Sequence, residues 1–144
     1  MALAERGFTV TATDLSPTAL DKAREKAREK GLEITWQQDD ILNTQLEREF
    51  DWVFDRGCFH VLPPERRPDY VRAVAGLLQP SGYLFLKSFS VLETREEGPY
   101  RFTPEALAEI FQLHLLLRSA RETAYYGTLD PLPRALFCIL QKKI

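Results

Sequence analysis

The chain has 144 residues, of which 44% are hydrophobic and 28% charged, with a formal net charge of −2. That length suits one domain with a real core, the near-neutral charge speaks against nucleic acid or an acidic membrane as partner, and no run approaches the roughly 18 apolar residues of a membrane span. The two cysteines, Cys58 and Cys138, lie far apart without metal-ligand spacing, so no metal is expected and a reducing, cytoplasmic setting is the simple reading.

Met1 to Arg6 reads as the end of a helix stopped by Gly7. Phe8 to Thr13 alternates apolar residues with threonines and predicts a strand. Ser16 then caps a helix with Pro17 at its first position, running to about Lys30 and stopping at Gly31. Ala19, Leu20, Ala23 and Ala27 form its apolar stripe, and its other faces carry opposite charges three residues apart, a solvated surface.

Glu33 to Gln38 predicts the next strand, and Asp39 to Glu49 a loop or short helix. Asp51 to Asp55 is a short continuous apolar run, which predicts a strand buried on both faces. Pro63 and Pro64 open a helix whose inner face carries Tyr70, Val71, Val74, Leu77 and Leu78. Pro80 to Gly82 is a turn, and Gly82 to Phe89 another strand. Ser90 to Phe102 reads as a mobile loop, Thr103 caps a further helix, and two tail strands, Leu116 to Tyr126 and Arg134 to Gln141, form an antiparallel hairpin. Strands alternating with helices and closed by a hairpin predict an α/β fold, mostly parallel with an antiparallel edge. Trp36 and Trp52 read as packing residues, and His114 as structural.

Three of these segments, FTVTATD, EITWQQDD and FDWVFD, end on a carboxylate, at Asp14, Asp40 and Asp55. In an open parallel sheet, ligands bind at the carboxyl ends of strands. Asp14 and Asp40 sit where the ribose and adenine of a nucleoside could be read. The glycine loop that usually precedes such acids has no counterpart, because no two of the seven glycines are spaced G-x-G.

Taken together, FTVTATDLS, QQDDIL, FDWVFDRGCFHVLPPERRPDYV, LLQPSGYLFL and EEGPYRFTPEALAEIF resemble the class I S-adenosylmethionine-dependent methyltransferases. The fourth-strand segment DRGCFHVLPPE is the most specific piece. It is similar to the branch that includes thiopurine, thiol, halide and tellurite-resistance methyltransferases. The resemblance implies a Rossmann-like sheet and S-adenosylmethionine as cofactor. It also implies methyl transfer to a small-molecule acceptor by alignment and proximity. The family's sheet order is usually 3-2-1-4-5-7-6, so the unmatched first strand would be central. Expected consequences are one N-terminally incomplete domain and self-association through unpaired strand edges.

The resemblance assigns cofactor contacts to Asp14 and Leu15, to Asp40 and Ile41, and to Asp55, Gly57 and Phe59. Asp14 would hold two ribose hydroxyls, or else it is an acid favoured at a helix start. Asp40 would meet the adenine edge with the Ile41 amide, or it caps a loop, a role Asp39 could also fill. Asp55 would face the cofactor's amino group, Gly57 would permit close backbone approach, and Phe59 would pack on the cofactor or in the core. Arg56, His60, Lys87, Tyr100 and Arg101 are the acceptor-side candidates; Arg56 would bind an anionic acceptor or else pair with Asp55 or another acid, and Lys87, Tyr100 and Arg101 would shape and close the acceptor pocket or else carry ordinary solvated charges of a surface loop. His60 is either a general base or a structural hydrogen-bonder. Two rival readings stay open: a truncated, weakly binding or inactive relative that serves as an assembly module, and a nicotinamide-binding enzyme, for which Asp14 alone would be equally suited.

Overall fold

The computed structural model describes residues 1–144. The chain divides into two compact units, Met1–Leu46 and Glu47–Ile144. The division follows from strand pairing, since the strands of each unit pair only among themselves.

The first unit contains α1 (Ala2–Glu5), β1 (Thr11–Asp14), α2 (Pro17–Glu29) and β2 (Thr35–Gln38), followed by a turn of 3₁₀ helix at Ile41–Asn43. The Ser16 hydroxyl accepts from the Ala19 amide and Pro17 takes the first helical position, so α2 starts where its cap dictates. Leu20 and Ala27 of its apolar stripe are buried, whereas Ala19, in the first turn, is exposed. β1 and β2 pair in parallel, with Asp14 opposite Gln38. Both are shorter than predicted: they begin at Thr11 and Thr35, and Phe8 is 41% exposed.

The second unit contains β3 (Phe50–Arg56), α3 (Arg67–Leu77), β4 (Leu78–Ser90), β5 (Arg101–Phe102), α4 (Pro104–Phe111), β6 (Leu115–Ala124) and β7 (Arg134–Lys142). Its sheet runs β3-β4-β7-β6, with β5 added beside the end of β4. β3 and β4 are parallel, and β7 is antiparallel to both β4 and β6. The predicted Pro80–Gly82 turn lies inside β4: between Phe50↔Leu78 and Trp52↔Tyr83, β3 advances two residues and β4 five. A Cβ on Gly82 would come within 2.9 Å of the Asp51 and Gln79 carbonyl oxygens, so this loop can close only with glycine there.

Along β4, Leu84, Leu86, Ser88 and Ser90 are buried, while Tyr83, Phe85, Lys87 and Phe89 between them are half-buried. The buried side continues through Leu136, Cys138 and Leu140 of β7. The Phe59 ring, 0% exposed, lies 5.0 Å from Tyr70, 5.2 Å from Phe102 and 5.3 Å from Phe111. One residue thus joins the end of β3 to α3, β5 and α4.

Two expectations change here. β3 is not buried on both faces, for it is an edge strand and Trp52 and Phe54 are 51% and 54% exposed. The Ser90–Phe102 stretch, read as mobile, is tied from within. The Arg101 guanidinium donates to the carbonyls of Glu93, Arg95 and Glu97, and the Glu93 carboxylate accepts from the amides of Thr94, Arg95 and Arg134. Burial works to raise the Glu93 pKa, but those amides hold it below the usual carboxylate value. No helix of the chain is long and apolar enough to cross a membrane.

Phe59→Ala removes the shared member of the aromatic cluster and is expected to cost about 3–5 kcal/mol. Denaturant unfolding at constant slope would measure it, and a loss under about 1 kcal/mol would mean that the ring is not core.

Candidate functional site

The candidate residues fall into two groups, one in each unit. In the first, Asp14 ends β1 and Asp40 follows β2 by two residues. The Asp39 amide donates to the Asp14 carbonyl at 3.1 Å, and Gln38 Nε2 donates to the Leu15 carbonyl at 3.1 Å, so the two strand ends are stitched together. Both acids are exposed, and each spends one oxygen locally. Asp14 Oδ1 accepts from the Ser16 amide, and Asp40 Oδ1 accepts from the Leu42 amide, both at 2.9 Å. Asp39 is the buried member of the acidic pair and ties the loop, accepting from Thr44 Oγ1 at 2.6 Å and the Gln45 amide at 2.8 Å.

That division of labour leaves the second oxygen of Asp14 and of Asp40 turned to no group of the chain. The amide of Ile41 opens the 3₁₀ turn, a position with no acceptor within the turn. Leu15 is 65% exposed and supplies an apolar surface beside Asp14. Two carboxylate acceptors, one amide donor and an aliphatic side chain suit a ribose and the polar edge of an adenine. A separate open groove of about 820 Å³, lined by Gly7, Phe8, Glu33 and Ile34 among others, lies at the amino ends of the same strands. It contains none of these residues.

In the second unit, Asp55 points inward and is 7% exposed. Its oxygens accept from the Cys58 amide (2.7 Å), the Phe59 amide (3.0 Å) and the Tyr70 hydroxyl (2.5 Å). Burial, followed by the Asp55 charge, pushes the Tyr70 hydroxyl pKa well up, so this hydroxyl stays a donor. The carboxylate is therefore the anchor of the turn after β3, with both oxygens engaged by groups of the chain. Phe59 is removed from any ligand by its complete burial. Gly57 has φ 108°, and a Cβ there would meet His60 Nε2 at 3.3 Å. Its conformation serves the turn.

His60 is 7% exposed and bridges elements. Nδ1 accepts from the Phe89 amide at 3.0 Å, and the His60 carbonyl accepts from the Tyr100 amide at 2.9 Å. Burial lowers the imidazole pKa, against the opposing effects of the Asp55 charge and the nearby Gly57 backbone. With Nδ1 occupied, no lone pair is available for a general base; the ring is a structural hydrogen-bonder.

Arg56 and Lys87 are cross-strand neighbours at the carboxyl ends of β3 and β4. The Arg56 guanidinium lies 5.2 Å from the Tyr125 ring centre and Lys87 Nζ 5.0 Å from it. Tyr100 is instead covered by Arg67 at 4.9 Å, and the Arg101 guanidinium is committed to loop carbonyls. Arg101 therefore has a structural role where an acceptor contact is predicted. Residues missed by sequence reasoning are Arg121, Tyr125 and Tyr126. The adjacent tyrosines at the end of a predicted strand were the available signal.

Residues 1–82, more than half of the chain, match the model of the methyltransferase-domain family. A 2-heptyl-1-hydroxyquinolin-4(1H)-one methyltransferase from Mycobacteroides abscessus is 31% identical over 112 residues, which is 75% of this chain and 49% of that protein. A thiopurine S-methyltransferase from Vibrio cholerae is 35% identical over 74 residues, 51% of this chain and 34% of that one. A solved S-adenosylmethionine-dependent methyltransferase from Methanosarcina mazei superposes with a TM-score of 0.84 at 18% identity, covering 99% of this chain and 86% of that structure. The chain belongs to the methyltransferase-domain family, the class I S-adenosylmethionine-dependent methyltransferases, and has their Rossmann-like fold. It spans about half or less of the length of these two curated relatives.

Two outcomes test the second group. Tyr70→Phe leaves Asp55 one donor short and is expected to cost about 1.5–3 kcal/mol, read by thermal or denaturant unfolding. For His60 the folded pKa is depressed, so the unfolded chain takes up a proton first as pH falls. Stability should be full above about pH 6.5 and decline as pH drops toward the folded value. A set of unfolding curves across that window should show this limb flattened in His60→Gln; an unchanged limb would place the titration elsewhere.

Proposed function

We propose that this chain is the adenosine-reading and acceptor-facing part of a methyltransferase that acts on small molecules, in a reducing, cytoplasmic setting. When bound, S-adenosylmethionine supplies an electrophilic methyl group on a sulfonium. In this reading Asp14 accepts from the ribose hydroxyls through the oxygen its own turn leaves over. Asp40 and the Ile41 amide meet the adenine edge, and Leu15 packs against the sugar. Arg56 and Lys87 face the acceptor, while Asp55, Gly57, Phe59 and His60 hold the turn that presents Arg56.

The observation that carries the reading is the pair of exposed carboxylates on stitched neighbouring strand ends, each with an uncommitted oxygen. The names of the two relatives add weight, since one is a thiopurine S-methyltransferase and the other methylates a hydroxyquinolinone. Methyl transfer from a sulfonium to an acceptor that is already anionic needs no side chain to move a proton.

A second reading, that of an assembly module, draws on β3, whose outer edge has no strand partner and whose Phe54 is 54% exposed. Sedimentation at rising concentration separates the two: a monomer throughout disposes of the assembly reading.

Titration calorimetry with S-adenosylhomocysteine tests the main proposal. Wild type should give a saturable heat, and Asp14→Asn should weaken binding about 10- to 100-fold, the range for a lost charge-assisted hydrogen bond. No heat at millimolar ligand would remove the methyltransferase reading for this chain.

A further inference from the structure

Arg56, Lys87, Phe137 and Arg121 form one row across the sheet of the second unit. Arg56 is in register with Lys87, Lys87 with Phe137, and Phe137 with Arg121. Residues in register on neighbouring strands share a face. The three cations therefore emerge on one side, at the carboxyl ends of the parallel pair β3 and β4. The acids next to them in sequence alternate to the other side. Asp55 is buried under the β3 turn, and Glu122 accepts from Ser90 Oγ at 3.0 Å.

None of the chain's ion pairs includes Arg56, Lys87 or Arg121. Their close neighbours are rings. Arg56 and Lys87 lie over Tyr125, Lys87 Nζ is also 5.4 Å from Tyr126, and the Arg121 guanidinium is 5.8 Å from the Phe137 ring centre. Rings orient cations without neutralising them. Burial and then the charges of Arg56 and Arg121 lower the Lys87 pKa, as expected of positive charges gathered without a counter-ion. The Tyr125 hydroxyl donates to the Lys87 carbonyl at 2.7 Å, which fixes its ring beside β4, while Tyr126 is 70% exposed and offers a flat apolar wall.

We propose that this row is an anion-binding site and that the methyl acceptor is a flat aromatic anion, a thiolate or an ionised hydroxyl, whose charge rests on Lys87, Arg56 and Arg121 while its ring lies against Tyr126. The word acceptor rests on the methyltransferase reading; the anion site stands on the row itself. An anionic acceptor arrives already deprotonated, which agrees with a site whose one nearby imidazole, His60, has its Nδ1 taken up by the Phe89 amide.

The test uses 4-nitrothiophenolate, coloured and ionised at neutral pH, and its neutral methyl ether 4-nitrothioanisole, with equilibrium dialysis against the full chain. The thiolate should bind at least about tenfold tighter than the ether, and more weakly as salt is raised. Arg121→Met, at an exposed position that tolerates change, and Lys87→Met should each weaken the thiolate about tenfold and leave the ether alone. Unfolding midpoints would show that both variants are folded. Equal binding of thiolate and ether by wild type, or undiminished thiolate binding by the folded variants, overturns the site. S-adenosylhomocysteine titrated into the same samples reads the methyltransferase assignment separately: thiolate binding without that heat keeps the anion site and removes the acceptor role.

Discussion

The buried carboxylate of Asp55 is the interaction on which the second unit turns. Placed at the end of β3, it accepts from two amides of the turn that follows and from the Tyr70 hydroxyl of α3. A carboxylate removed from water must find donors, and these three bind strand, turn and helix into one knot. The knot drives the Phe59 ring into the core and brings His60 against the Phe89 amide of β4. Because strand residues alternate, an inward Asp55 makes Arg56 an outward residue.

From that one orientation the rest of the face follows. Lys87 stands beside Arg56 by parallel register, and the antiparallel pairings carry the same row through Phe137 to Arg121. The sheet thereby sorts charges, with carboxylates held beneath or bonded on the covered side and cations left on the open one. The Ser90–Phe102 stretch closes the arrangement through Arg101 and Glu93, whose charges are absorbed by backbone groups.

The first unit solves a smaller problem by related means. Asp39 and Asp40 are adjacent in sequence and opposite in fate. Asp39 is buried and ties its loop, while Asp40 caps a 3₁₀ turn and keeps one oxygen outward. Asp14 does the same at the end of β1. A carboxylate with two oxygens can hold its own turn and still have an acceptor for a hydroxyl, so structure and binding need not compete at these positions.

Local signals were legible in the amino-acid order. The Ser16 and Thr103 caps, the prolines after them, the alternating strands and the acids at strand ends depend on neighbours a few residues away. Motif spacing over the same short range was enough to indicate the family. By sequence Asp55 and Arg101 read as ligand contacts, and Phe59 and His60 as either ligand contacts or structural groups, because a polar or aromatic residue near a strand end looks the same whether its partner is a ligand or the chain itself. Their partners are Tyr70, Phe111, Phe89 and the loop carbonyls, 4 to 52 residues away, or in the case of Asp55 the backbone amides just beyond it. Likewise Arg121 lies 65 positions from Arg56, and only the pairing of β3, β4, β7 and β6 places them in one row. Sequence alone determined the elements and the type of fold, which short-range propensities set. Which side chains face a ligand was decided by the tertiary structure, because facing is a property of strand register and of donors brought in from distant segments.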